Sequence, residues 1–195
     1  MWKDAEEFLS KDKYIAPLIK KWGHCTIEDA FAIKPLKKNQ YFEDLVNAIC
    51  SQQLSGKAAE TIFGRVKSLL SKITPKNILS KTDQELRGCG LSWQKVSYIK
   101  DLAEHVISNK LKVESLNTLS DEEVIKELVA VKGIGRWTAE MFLMFSLARP
   151  DILPKDDLGI NKALKNLKIK SIDIKKWKPY RTVASWYLWR SLENR

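Results

Sequence analysis

Apolar residues recur at helical spacing along most of the chain, and the polar positions between them mark where helices start and stop. Within residues 3–22, Ala5, Phe8 and Leu9, then Ile15, Leu18 and Ile19, form apolar faces that predict one or two helices. From Tyr41 onward, Phe42, Leu45, Val46 and Ile49 share a face until the polar stretch SQQLSGK at residues 51–57. Ser55 then predicts the N-cap of a helix whose inner side is Ala58, Ala59, Ile62, Phe63, Val66 and Leu69–Leu70. Thr82-Asp83-Gln84-Glu85 is a capping box that opens a short helix stopping at Gly88-Cys89-Gly90. Ser92 predicts the cap of a helix over 93–109, with Val96, Ile99, Leu102, Ala103 and Val106 inward and Trp93, Lys95 and Lys100 near its start or flank. Ser120-Asp121-Glu122-Glu123 is a second capping box, followed by Val124, Leu128 and Val131 on one face. A last helix begins after Pro179 and carries Trp186 and Trp189 three apart. Strand-like alternation is scarce, so the predicted fold class is all-α.

Composition narrows the partner more than the fold. The 195 residues suffice for one domain, or two small lobes sharing a core. Lys+Arg number 34 against Asp+Glu 24, and this +10 excess, with seven Trp and a glycine hairpin, favours a polyanion over simple solubility. The N-terminus MWKDAEEFLSKDK lacks the apolar core of a signal peptide, and no stretch resembles a membrane span. Cys25, Cys50 and Cys89 are too few and too far apart for a disulfide framework, a zinc motif or an iron–sulfur cluster. An intracellular, reducing location is the expectation.

The candidate chemistry lies in residues 128–160. Lys132-Gly133-Ile134-Gly135-Arg136 joins two predicted helices. Glycines two apart permit positive φ and leave no Cβ, so a phosphate could approach the main-chain amides where the next helix starts. Ile134 would anchor the turn, and Lys132 and Arg136 add charge. In the following helix Trp137, Met141 and Met144 share one face, while Phe142 and Phe145 fall on another and are expected in the core. After Pro154, Asp156 and Asp157 open another helix; one would cap it, and the other would stand beside Trp137 able to stabilise a developing cation or orient a water. Gln52 and Gln53 read first as a polar turn, and alternatively as a loop tip facing a ligand.

Four segments in order, FEDLVNAICSQQLSGKAAETI, GLSWQKVSYIKDLA, LVAVKGIGRWTAEMFLMF with ILPKDDLGI, and WKPYRTVASWYLW, give the chain a resemblance to the helix-hairpin-helix–GPD superfamily of base-excision DNA glycosylases. Within it the chain looks like the alkylation-repair 3-methyladenine branch. The resemblance implies a single domain over 1–195, with helical lobes of about 41–146 and about 1–40 plus 147–195, and an active site in the cleft between them. It assigns Asp157 as the essential aspartate and leaves Asp156 as the cap. Trp137 and Trp189 match aromatic base-pocket positions, with Met141 and Leu158 where some relatives carry tyrosines. Gln53 matches the residue that fills the gap left by a flipped nucleotide; with Lys132, Gly133, Gly135, Arg136, Thr138 and Lys95 it makes up the expected DNA contacts.

The same resemblance places a structural Na⁺ or K⁺ ion on the carbonyls of Val129, Val131 and Gly133, with no other cofactor required. Lyase-active members carry a Lys at the position of Trp137, so a monofunctional enzyme is implied, leaving an abasic site. The expected partner is double-stranded DNA containing alkylated purines such as 3-methyladenine and 7-methylguanine, bound by a monomer. Two other readings stay open: a non-catalytic DNA-binding scaffold that senses lesions, and a glycosylase for deaminated bases.

Overall fold

Helical periodicity with strong local caps produces helices, and the computed structural model is built from them. It describes residues 2–26 and 37–193. In chain order the helices are α1 (Trp2–Leu9), α2 (Ile15–Trp22), α3 (Tyr41–Ser51), α4 (Gly56–Leu70), α5 (Pro75–Leu79), α6 (Asp83–Gly88), α7 (Trp93–Ile107), α8 (Asp121–Val129), α9 (Arg136–Phe145), α10 (Leu158–Asn166), α11 (Ser171–Lys175) and α12 (Arg181–Arg190). Short 3-10 turns cover Lys38–Gln40 and Val113–Thr118, and no strand occurs among the described residues. No described helix is long and apolar enough to cross a membrane. The chain divides into two compact units, Leu36–Ala139, and Met1–Pro35 with Glu140–Arg195.

In the Leu36–Ala139 unit the caps act as the sequence indicates. Thr82 accepts from the Glu85 amide at 3.2 Å, and the Glu85 carboxylate accepts from the Thr82 amide at 2.8 Å. Ser120 and Glu123 repeat the box, and Ser92 accepts from the Lys95 amide at 3.1 Å. These bonds hold the Glu85 and Glu123 carboxyls below their ordinary range. Ser55 sits at the N-cap of α4, but its hydroxyl makes no capping bond, so α4 starts on backbone conformation alone. The inner faces of α3, α5 and α7 pack together, with Leu45, Val46, Ile49, Ile78, Ile99 and Leu102 fully buried.

The other unit is organised around α12, which is buried on nearly every side: Thr182 through Leu188 are all buried. A helix apolar all round has no solvent face to offer, so its few polar groups must find partners inside. Thr182 Oγ1 donates to the Arg149 carbonyl at 2.6 Å and accepts from the Ile152 amide at 3.0 Å. Arg181, at the helix start, forms a two-pronged pair with Asp151, Nε to Oδ1 at 2.6 Å and Nη2 to Oδ2 at 2.8 Å. The Tyr187 hydroxyl points between Glu6 Oε1 and the Gly23 carbonyl, each at 2.8 Å. Residues 3–22 form two helices, as one of the two expectations had it. Trp2, just outside that stretch, is buried, whereas Phe8 is substantially exposed and meets the Tyr180 ring edge-on. His24 is a structural residue, with Nδ1 2.7 Å from Glu6 Oε2.

Glu6 therefore joins α1, the Gly23–Cys25 turn and α12 through one carboxylate, which also accepts from the Cys25 amide. Glu6→Ala removes an acceptor of the Cys25 amide and one of the two acceptors facing the Tyr187 hydroxyl, and should cost about 1–2 kcal/mol, read as a lower urea midpoint at unchanged m-value. A loss under about 0.5 kcal/mol would make Glu6 an ordinary surface residue.

Candidate functional site

The glycine hairpin is fixed from below by apolar anchors and from one side by an aromatic ring. Val131 and Ile134 are buried, the Val131 amide donates to the Leu128 carbonyl at 3.1 Å, and the Ile134 amide donates to the Val131 carbonyl at 3.2 Å. The two glycines do different work. Gly133 has φ +81°, and a Cβ there would lie 2.1 Å from Tyr98 Cδ2, so both backbone conformation and space exclude a side chain. Gly135 does not adopt positive φ, correcting the expectation for it, and a Cβ there would meet nothing within 4 Å. Its bareness serves nothing within the chain. It leaves no side chain of residue 135 in the approach to the first turn of α9.

The charges around the hairpin are partly engaged. The Lys132 amide donates to Asp101 Oδ2 at 2.9 Å, while its ammonium lies 3.6 Å from Asp101 Oδ1 on a side chain 73% exposed. Arg136 pairs with Glu122 through Nη2 at 2.8 Å and remains half-exposed. Trp137 is 44% exposed on the first turn of α9. Thr138 is buried, so its side chain offers no surface for DNA and only its main-chain amide remains in the first turn. Residues Val129–Gly135 line an open depression of about 450 Å³. The donor set there suits a hard monovalent cation: Val129 ends α8, where the helix dipole is negative, and a carbonyl oxygen has two lone pairs. The Gly133 carbonyl already uses one of them to accept from Gln52 Nε2 at 2.8 Å.

That Gln52 bond ties the SQQLSGK turn to the hairpin, and Lys95 fixes the turn from the other side. Lys95 Nζ donates to the Cys50 carbonyl at 2.8 Å and the Gln52 carbonyl at 2.7 Å, at the C-terminal end of α3. Lys95 was expected to contact DNA; instead its ammonium caps a helix whose last carbonyls lack intrahelical partners. Burial holds its pKa below the ordinary lysine value, with the nearby Cys50 acting in the opposite sense. Burial likewise pushes the Cys50 thiol up to about 12. With Gln52 turned inward, Gln53 is left exposed at φ 58°, next to an exposed Leu54. The two adjacent amides are thus separated into a structural residue and a surface one.

The carboxylate site lies in the unit containing Glu140–Arg195. Asp157 is itself the N-cap of α10: Oδ1 accepts from the Ile160 amide at 2.7 Å. This corrects the assignment of the cap to Asp156, which lies exposed in the preceding turn. The same Oδ1 accepts from Trp189 Nε1 at 2.9 Å. The face of Trp189 stacks on Phe145, with centroids 6.2 Å apart at 27°. Phe145 was expected in the core with Phe142; Phe142 is buried, but Phe145 is only half-buried and backs this indole. Met141 is half-buried, whereas Met144, on its predicted face, is fully buried. Leu158 is 86% exposed, immediately after the carboxylate. Among the described residues, no group of three or more His, Cys, Asp or Glu could hold a metal ion.

Residues 46–186 match the model of the HhH-GPD superfamily base excision DNA repair proteins. The chain is 39% identical to DNA-3-methyladenine glycosylase 1 of Schizosaccharomyces pombe over 171 residues, covering 81% of this chain and 75% of that protein. It is 33% identical to the alkylbase DNA glycosidase-like protein mag2 of the same yeast, covering 97% of this chain and 93% of that one. Its fold superposes on the solved structure of the S. pombe 3-methyladenine DNA glycosylase Mag1 in complex with abasic DNA, with TM-score 0.76, 34% identity and 96% coverage of each chain. The protein belongs to the HhH-GPD superfamily of base excision DNA repair proteins.

Two substitutions test the hairpin's supports. Gly133→Ala should destabilise by about 2 kcal/mol or more in chemical unfolding, because neither φ nor Tyr98 accommodates a methyl; a neutral result would mean that the hairpin repacks freely. Lys95→Met should cost about 1–2 kcal/mol of stability while leaving the salt dependence of duplex affinity unchanged. A slope reduced by about 1 would return Lys95 to the phosphate contacts.

Proposed function

We propose that the protein is a monofunctional DNA N-glycosylase that releases alkylated purines, of the 3-methyladenine and 7-methylguanine type, from double-stranded DNA inside the cell, acting as a monomer. The observation that carries this reading is the carboxylate of Asp157, held in one rotation by the Ile160 amide and the Trp189 indole. Family membership and the S. pombe relatives support the substrate class.

The chemistry follows from the residues. The hairpin at Gly133 and Gly135, with the exposed Lys132 side chain, holds backbone phosphate, and Gln53 enters the space of a nucleotide turned out of the stack. Flipping costs a few kcal/mol. An N3- or N7-alkylated purine is cationic, so the face of an indole such as Trp189 attracts it by roughly 0.5–2 kcal/mol. As the C1′–N bond breaks, its electron pair moves to the purinium and neutralises it. Positive charge then grows on the sugar, where the Asp157 carboxylate stabilises it. Water adds to C1′, gives up a proton, and leaves an abasic site. Because the leaving group is already activated by its own charge, no strong general acid is needed. A monovalent cation on the carbonyls of Val129, Val131 and Gly133 would add positive charge beside the phosphate. At position 137 an indole stands in place of an amine, so no Schiff base forms there and the strand stays intact.

One experiment tests substrate, chemistry and residue. Methylated, deaminated and oxidised duplexes are incubated with the protein, released bases are identified by mass spectrometry, and strands are analysed before and after alkali. Methylated purines should be released, with breaks only after alkali. Asp157→Asn should bind duplex within about threefold of the parent and excise at least about 100-fold more slowly. Asn caps a helix as well as Asp does, so the loss would report chemistry rather than folding. Binding without released base would favour a lesion-sensing scaffold, and release of deaminated bases alone would reassign the substrate.

A further inference from the structure

The missing Cβ of Gly159 lies against the contact between Asp157 and Trp189. A Cβ built there would stand 3.0 Å from Trp189 Cδ1, 3.1 Å from Asp157 Oδ1 and 3.4 Å from Trp189 Nε1. Gly159 does not have positive φ, so backbone conformation does not call for glycine, and a glycine in the first turn of a helix is otherwise a poor choice. Trp189 is half-buried, so its indole edge can give by the few tenths of an ångström a methyl would require. Ile160 is fully buried on one side of Gly159, Leu188 is fully buried beside Trp189, and Phe145 stacks on the indole face. A methyl would therefore push the indole edge or the carboxylate, and both movements lengthen the 2.9 Å bond between them.

We propose that Gly159 is a positioning residue for base excision: its empty Cβ site lets the Trp189 N–H reach Asp157 and thereby sets the carboxylate. This rests on the reading of Asp157 as the catalytic carboxylate and of Trp189 as a wall for the flipped base. The consequence is mechanical coupling. One side chain offers its face to the base and its edge to the carboxylate, so a base that displaces the indole also displaces Oδ1. A base seated correctly leaves the carboxylate where the sugar charge develops. Trp189 then contributes to selection through the rate of the chemical step as well as through affinity.

The test uses the full-length protein with a duplex carrying one 7-methylguanine, under single-turnover conditions at saturating enzyme. Gly159→Ala should excise on the order of tenfold more slowly, since displacement of a catalytic group by a fraction of an ångström is felt strongly. Its melting temperature should not fall, because Ala favours helix over Gly. Duplex affinity should stay within about threefold, so the loss appears in the rate constant. Trp189→Phe, which keeps an aromatic wall but removes the N–H donor, should also be slower. In that background Gly159→Ala should cost less than about threefold, because the bond it weakens is already gone. The Trp189 indole N–H, assigned by its absence in Trp189→Phe, should exchange with solvent faster in Gly159→Ala by NMR. Parent-like excision and exchange in Gly159→Ala would overturn the proposal, as would the full tenfold cost in the Phe background. An active Asp157→Asn variant would instead remove the catalytic reading of Asp157, so the two failures are distinguishable.

Discussion

The first amides of a helix have no acceptors within it, and α10 gives one of them the carboxylate that bears the proposed chemistry. Asp157 Oδ1 takes the Ile160 amide and the Trp189 indole together. The cap fixes where the helix starts. The indole fixes how the carboxylate is turned, and Phe145 fixes the indole. Capping and catalysis are often weighed as rival explanations for an acidic residue at a helix start. Here they are compatible, because a capped carboxylate is an oriented one, and orientation is what stabilisation of a transient charge requires.

The Leu36–Ala139 unit solves a related problem at helix ends of opposite polarity. The carbonyls closing α3 are taken by Lys95, and the turn beyond reaches back through Gln52 to the Gly133 carbonyl. The amides opening α9 are approached past Gly135, where no Cβ intervenes. Side chains thus satisfy the closing end of α3, while at the opening of α9 residue 135 contributes no side chain. The division of labour between the two glycines has the same logic. Gly133 accommodates Tyr98 from within, whereas a Cβ at Gly135 would meet nothing.

Much of this was legible in the sequence, and the parts that were not share a cause. Helix positions followed from periodicity and capping boxes, because those signals act within a few residues. The all-α class, the hairpin and the carboxylate pair were readable for the same reason. Which glutamine turns inward, where the Lys95 ammonium goes and what turns the Asp157 carboxylate all depend on partners far along the chain. Gln52 and Gly133 are 81 positions apart, and Trp189 and Asp157 are 32 apart. No periodicity encodes such a meeting. Phe145 packs on the core but is buried only in part, because helical spacing gives direction around an axis but not what waits there. Gly159 left one faint trace: a glycine in a helical first turn with no turn or cap to justify it.

The unit that carries Asp157 is discontinuous in sequence. Its first two helices precede the whole of Leu36–Ala139, and the remainder follows it. Helix α12, which fills its centre, comes last among the described helices, and Tyr187 closes onto Glu6, 181 residues earlier. Contacts of such separation form late, after the chain between them has ordered or at least been synthesised. The hairpin unit is contiguous and has no such wait. During synthesis, then, the segment suited to gripping phosphate can take shape while the carboxylate and its indole are still unpaired. A nascent or truncated chain would order its hairpin before Asp157 and Trp189 could meet.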